Sequence, residues 1–350
     1  MFRRLGEREL VFDEAHQAIY EVDAIAAHVG RSLNMGMGAE QIARELVEHG
    51  FAPDAAEQAV HSAIAALQTA AAQSGTADQI SCLTVSIAGV AVDLQISAAL
   101  VHDVRELFGS LIVDAENAPC RLSARLSGGN VRFSSPGRPD WYCDRSEFLP
   151  LLKAQLIEFA IQFARFEVAL HAAALVKGDE AVLLVGSPGA GKTTLAIALA
   201  KSGLELVADD VTLLYAGGTV TGITLPFSVK ASAWQLLEKL WPGMTDRPAH
   251  CRPDGQSLCY VPHDRLADPR PRRIGVIVLL DRRTDAETRV DAVDPVDALT
   301  ALMAEGVTRD QQLHPGGFAA LVDGLRTARC HRLVYSDLRE GARAVIGLLE

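Results

Sequence analysis

Nine residues constrain this chain more than any others: GSPGAGKTT, Gly186 to Thr194. They fit the pattern G-x-x-x-x-G-K-[ST], with Gly186, Gly191, Lys192 and Thr193 at the fixed positions. The apolar run Val182–Val185 leads in and Thr193–Lys201 has helical character, so the context is strand, loop, helix, as the motif requires. Successive backbone N–H groups of such a loop turn inward onto phosphate oxygens, helped by the positive end of the helix that follows. The expected nucleotide-binding stretch is Gly186, Ser187, Pro188, Gly189, Ala190, Gly191, Lys192, Thr193 and Thr194. Lys192 supplies a point charge for the β- and γ-phosphates of ATP, and the Thr193 hydroxyl is placed to ligate Mg²⁺. Thr194 either touches a phosphate or simply continues the helix.

Two further features flank the loop. LVADD, Leu206–Asp210, reads as a buried strand ending in paired carboxylates. One carboxylate there suits a metal partner, and two suggest a second role near an attacking hydroxyl. His171 opens HAAAL ahead of the loop. Its strand is expected beside the P-loop strand, which would bring the imidazole towards the carboxylates, although a lone His in an apolar segment also suits a core position.

The order His171, P-loop, helix, Gly203, Asp209-Asp210 resembles the catalytic core of HPr kinase and the wider HPr-kinase-related proteins. LPFSVKASAW (Leu225–Trp234), CYVP (Cys259–Pro262) and the closing CHRLVYSDLREGARAVIGLL resemble the related, non-HPr branch. The resemblance covers about residues 166–350. It implies an α/β fold with a P-loop kinase core of the HPr-kinase/PEP-carboxykinase type, using ATP and Mg²⁺. It also implies that Asp209 deprotonates an acceptor hydroxyl, that Asp210 sits with Thr193 at Mg²⁺, and that His171 orients or stabilises the group. The roles of the two aspartates are interchangeable at this level. The loop departs from HPr kinase at Ser187, where that enzyme has an acidic residue, and at Thr194, where it has Glu. The later Glu-x-Arg-Gly-type signature is absent, so HPr itself is not the expected substrate.

Ahead of the core, residues 80–165 read as a small α/β scaffold without a catalytic constellation. Leu83, Val85 and Ile87 alternate, Ala88-Gly89 turns, and Val90, Val92, Leu94 and Ile96 continue, which predicts a hairpin. Ser97 is a candidate cap for a helix through Phe108. RLSARLSGGNVRFS predicts a second hairpin with a Gly-Gly-Asn turn. A long helix is predicted over residues 147–165, burying Leu152, Leu156, Phe159 and Phe163.

Residues 1–70 read as a winged-helix-like α+β unit. Strands ELVFD and QAIYEV flank a turn at Glu14–His16. Asp23 caps a first helix, and AEQIARELVEHG predicts a second with Ile42, Leu46 and Val47 on one face and Gly50 as its stop. Asp54 opens a third, with Val60, Ile64 and Leu67 inward. NMGMG, Asn34–Gly38, breaks the pattern, and Thr69–Gln79 reads as a linker. The unit resembles the PqqD-type peptide-chaperone family, which implies recognition of a leader peptide as an added strand.

Composition excludes several classes. The net charge of −11 opposes nucleic-acid binding, which needs a basic field. No apolar run approaches the roughly 18 residues that span a bilayer. MFRRLGEREL lacks an apolar signal segment, and the six scattered cysteines, with no C-x-x-C, suit reduced thiols, so a cytoplasmic setting is expected. The expected partner is a substrate peptide, with no nucleic acid and no membrane, and the kinase resemblance suggests a homo-oligomer of unfixed number. Three functions remain open: a Ser/Thr kinase acting on a ribosomally made peptide, a kinase for a small-molecule hydroxyl such as free serine, and a nucleotide-sensing regulator. Lys230 is a candidate for contact with nucleotide or substrate. The basic run Arg270–Arg273 is expected to be a solvated strand entry, and HPGG, His314–Gly317, a loop.

Overall fold

The computed structural model describes residues 2–5, 8–13, 18–34, 37–72, 79–115, 117–127, 129–262, 265–308 and 312–350. The expected turn at Glu14–His16, the centre of NMGMG, linker residues 73–78, Gly128 and the Leu67 side chain lie outside the described set. The chain is a mixed α/β protein that divides into two compact units. One comprises Met1–Ser81, Gln95–Ala99 and Ser123–Arg145; the other comprises Cys82–Leu94, Leu100–Leu122 and Ser146–Glu350.

The chain begins with β1 (Phe2–Leu5), β2 (Arg8–Asp13) and β3 (Ala18–Val22), an antiparallel sheet in that order. β1 is short and basic and carries no alternating apolar signal, so sequence reading passes over it. Three helices follow: α1 (Ala24–Asn34), α2 (Ala39–Glu48) and α3 (Pro53–Ala72). Asp23 caps α1 as expected, its Oδ1 accepting the Ala26 N–H at 2.7 Å. Ala26, Val29, Ile42, Leu46, Ala56 and Val60 form the helical core. Val47 is 38% exposed instead of sharing the buried face, because it sits one residue round the helix from Leu46. Pro53 takes the first position of α3, for which its fixed φ is suited, and α3 runs through Thr69–Ala72, which sequence reading assigned to the linker.

Next come β4 (Ile80–Ile87), β5 (Val90–Ser97), α4 (Ala98–Phe108), β6 (Cys120–Ser127), β7 (Asn130–Ser134), β8 (Trp141–Asp144) and α5 (Phe148–Phe163). All seven expected apolar positions of β4 and β5 are buried. Ala88 and Gly89, with φ of 50° and 77°, make the two-residue turn. Ser97 ends β5, and its hydroxyl accepts the Leu126 N–H at 2.7 Å. β6 and β7 pair with Ser127 opposite Asn130, the expected second hairpin. In α5, Leu152, Leu156 and Phe159 are buried, whereas Phe163 in the last turn is 47% exposed.

The second unit then builds a ten-stranded sheet. Its elements are β9 (Val168–Leu170), β10 (Ala173–Lys177), β11 (Glu180–Val185), α6 (Lys192–Lys201), β12 (Glu205–Ala208), β13 (Thr212–Tyr215) and β14 (Thr219–Gly222). There follow β15 (Phe227–Lys230), α7 (Trp234–Glu238), β16 (His250–Cys251), β17 (Ser257–Val261), β18 (Arg272–Arg282) and β19 (Arg289–Ala292). The chain closes with α8 (Pro295–Ala304), β20 (Gly306–Val307), α9 (Pro315–Leu325), β21 (Arg329–Tyr335) and α10 (Leu338–Gly347). The sheet order is β12-β10-β11-β18-β14-β13-β9-β20, with β21 beside β18 and β19 beside β21; β15, β17 and β16 form a separate small sheet. Helices α6 and α10 share one apolar core, α8 and α9 another, so both faces of the large sheet are covered.

Two further expectations fail in this unit. Arg272 is only 4% exposed, paired with Asp268, because β18 is buried along nearly its whole length. HPGG is not a loop: His314 precedes α9, and Pro315 supplies its first position. None of the six cysteines forms a disulfide, and four of them are buried. Among the described residues, no helix is long and apolar enough to cross a membrane.

Candidate phosphoryl-transfer site

The sheet explains why distant residues meet. β11 runs parallel to β18, while β10 is antiparallel to both β11 and β12. The C-terminal ends of β11 and β12 and the N-terminal end of β10 therefore lie at one edge, as the pairs Ala173–Leu184 and Ala174–Ala208 show. That edge holds the glycine loop after β11, Asp209-Asp210 after β12 and His171 just before β10. Ligands of α/β sheets bind at such carboxyl ends.

Val182–Val185 are fully buried, so the strand anchors the loop, and α6 begins at Lys192. Gly191 has φ of 94°, and a Cβ there would lie 2.8 Å from the Tyr335 hydroxyl, so both backbone and space require glycine. Tyr335, at the end of β21, is 1% exposed and donates its hydroxyl proton to Ala190 O at 3.4 Å, with burial pushing its pKa up to about 12. Lys192 folds back on the loop, its Nζ donating to Gly186 O and, at 3.5 Å, to Ser187 O. Burial holds its pKa below the usual lysine value.

The two aspartates face different surroundings, because successive residues at a strand end point opposite ways. Asp209 is 2% exposed; its Oδ2 accepts the Ser228 N–H at 3.2 Å, and its Oδ1 is buried with no hydrogen-bond partner among the described residues. Burial and then the Asp210 charge push its pKa up to about 7, opposed by Lys153, the Ser228 N–H and the Thr193 hydroxyl beside it. Asp210 has a side chain 36% exposed and lines a cavity of about 840 Å³ together with Gly189, Lys192 and Thr193. Burial works against its charge, but Lys153, whose Nζ donates to Oδ2 at 2.9 Å, brings the pKa below the ordinary carboxylate value. The resemblance pairs Asp210 with Thr193; in the structure it is Asp209 that lies beside Thr193, and Asp210 opens to the cavity.

His171 also lines the cavity. Its Nδ1 donates to Glu305 Oε2 at 3.1 Å and its backbone N–H to Glu305 O at 2.8 Å, leaving Nε2 as the free ring nitrogen. Thr194 faces the cavity too, as do Lys230 and Arg282. Lys230 is close enough to Lys192 to depress its pKa.

Sequence reading missed Lys153, Ser228, Arg282 and Glu305. For Lys153 there was a signal, since it is the one basic residue in the largely apolar α5. Glu305, at the end of α8, carried none.

No cluster of three or more His, Cys, Asp or Glu residues suited to a metal occurs among the described residues. Mg²⁺ needs less, because it keeps waters and takes one or two carboxylates plus substrate phosphates. The unpartnered, buried Oδ1 of Asp209 beside the Thr193 hydroxyl fits that requirement, since a cation there would relieve a stranded charge.

No protein-family model and no curated protein matches the sequence. Among solved structures, the HPr(Ser) kinase/phosphatase from Coxiella burnetii is 14% identical, covering 52% of this chain and 87% of its own, with a TM-score of 0.24.

Proposed function

We propose that the protein is an ATP-dependent phosphotransferase that moves the γ-phosphoryl group to a Ser or Thr hydroxyl of a ribosomally made peptide. The observation that carries this reading is the division between the carboxylates: one opens to the P-loop cavity, and the other is buried beside Thr193.

Each part then has a role. The loop N–H groups and Lys192 bind the polyphosphate, and Lys230 and Arg282 add charge from the cavity wall. Asp209 and Thr193 would hold Mg²⁺, directly or through its waters, and when bound the ion supplies charge stabilisation to the β- and γ-phosphates. Asp210, ionised at neutral pH, accepts the proton of the acceptor hydroxyl. The acceptor oxygen bonds to the γ-phosphorus, the bond to the β–γ bridging oxygen breaks, and ADP leaves with that electron pair. His171, held by Glu305, faces the charge that gathers on the transferring group. A loose transition state asks for this kind of positioning and charge rather than for covalent help.

The peptide acceptor rests on the first seventy residues. In β1-β2-β3 the outer edges of β1 and β3 pair with no other strand among the described residues, and strand addition at such an edge suits a leader peptide. The Arg31–Glu9 ion pair at 2.8 Å joins α1 to β2 and steadies the unit.

Intact-mass analysis of the full chain with ATP, Mg²⁺ and either a leader-bearing peptide or free serine tests both halves of the proposal. The expected result is an 80-Da adduct on the peptide, with free serine a poor acceptor. Equal use of free serine makes the protein a small-molecule kinase, and nucleotide binding without any adduct makes it a sensor.

A further inference from the structure

Helix α5 lies in the region that reads from sequence as scaffold, yet Lys153 is 5% exposed, more buried than the P-loop lysine at 7%. Burying an ammonium group costs several kcal/mol unless charge and hydrogen bonds replace its water. Lys153 has three N–H bonds and three acceptors: Asp210 Oδ2 at 2.9 Å, Pro226 O at 3.3 Å and Ser228 Oγ. Two of these lead straight to the carboxylates. Asp210 is held directly, and Ser228 gives its own N–H to Asp209 Oδ2. A single ammonium thus touches one carboxylate and the serine whose backbone N–H meets the other.

We propose that Lys153 is the positioning residue of the two carboxylates: it aims the cavity-facing oxygen of Asp210 at the acceptor and, through Ser228, keeps Asp209 beside Thr193. The neighbouring α5 residues Pro150, Ala154 and Ile157 line the same cavity at helical spacing, so the helix brings a wall and a polar anchor together. The inference rests on the kinase reading. A buried ion pair that served folding alone would be replaceable by an apolar residue of similar size without selective loss of turnover.

The test compares Lys153→Met, Lys153→Arg and Ser228→Ala in the full chain, reading phosphoryl transfer, ATP affinity and metal-free unfolding. Lys153→Met is expected to lower kcat by about a hundredfold while the Kd for ATP stays within about threefold, and Lys153→Arg to recover about tenfold of that loss. Ser228→Ala, which leaves the charge pair, is expected to lower kcat by about threefold. The proposal is overturned if kcat in Lys153→Met stays within about threefold of the unsubstituted protein, if turnover and ATP affinity fall together, or if Arg does no better than Met. Should Lys153→Met not fold, unchanged turnover in both Lys153→Arg and Ser228→Ala overturns it. If the unsubstituted protein transfers no phosphate, the kinase reading fails first. The unfolding midpoints of Lys153→Met, Asp210→Asn and the double variant then decide the pairing, with non-additive shifts supporting it and additive shifts overturning it.

Discussion

The cavity has two corners of different construction. The corner proposed to bind phosphate is one continuous stretch, Gly186–Thr194, carried by a buried strand and the start of α6. The carboxylate corner is assembled from α5, the β9–β10 turn, the end of β12, β15 and the end of α8. Its contacts span 57 residues from Lys153 to Asp210 and 134 from His171 to Glu305. A continuous loop binds through its backbone and depends on glycine geometry. A composite corner acts through side chains whose aim depends on partners far away in the chain. Damage to the first should abolish nucleotide binding, whereas damage to the second should abolish turnover and spare binding.

Gly191→Ala is the strongest challenge to the phosphate corner, since it adds a Cβ against Tyr335 at a left-handed φ. It is expected to weaken ATP binding by about a hundredfold or more in calorimetry, with transfer lost in parallel. Next in size, Glu305→Gln loosens the ring of His171 and is expected to lower kcat about tenfold with the Kd for ATP nearly unchanged. Removing Arg282 as Arg282→Ala is expected to weaken ATP binding by about fivefold, since an exposed cation adds only modest charge stabilisation.

The smallest effect is on stability, and it separates the two aspartates. Asp209 has a folded-state pKa of about 7, above the carboxylate value of an unfolded chain, so the native protein holds an extra proton between the two. The stabilisation from that proton is complete below the unfolded pKa and is lost as pH rises through about 7. Asp209→Asn should therefore raise the metal-free melting temperature at pH 8 and leave it nearly unchanged at pH 4. An equal shift at both pH values would mean that the carboxylate is not charged and stranded at high pH.

The contrast also sets what was legible in the sequence. Motif and spacing sufficed to bring the strand–loop–helix at Gly186–Thr194, Asp209-Asp210 and His171 to one edge of one sheet, because each lies at the end of a short apolar strand. Strand alternation sufficed for β4 and β5. The partners of the aspartates were not legible, because which way Asp209 and Asp210 point depends on where β12 ends relative to α6 and α5. Lys153 could have been suspected as the one basic residue of a largely apolar helix, but nothing in its surroundings names Asp210. Exposed ends such as Val47 and Phe163 show the limit of helical periodicity, which reports a face and not where the partner surface stops.

The account's central claim is that binding and transfer are separable at Asp210. Asp210→Asn should be assayed on one sample for ATP affinity by calorimetry and for γ-phosphoryl transfer to peptide in a single turnover. The expected result is transfer slower by about a thousandfold with the Kd for ATP within about threefold of the unsubstituted protein. Transfer at the original rate, or loss of transfer fully matched by loss of ATP binding, would contradict it.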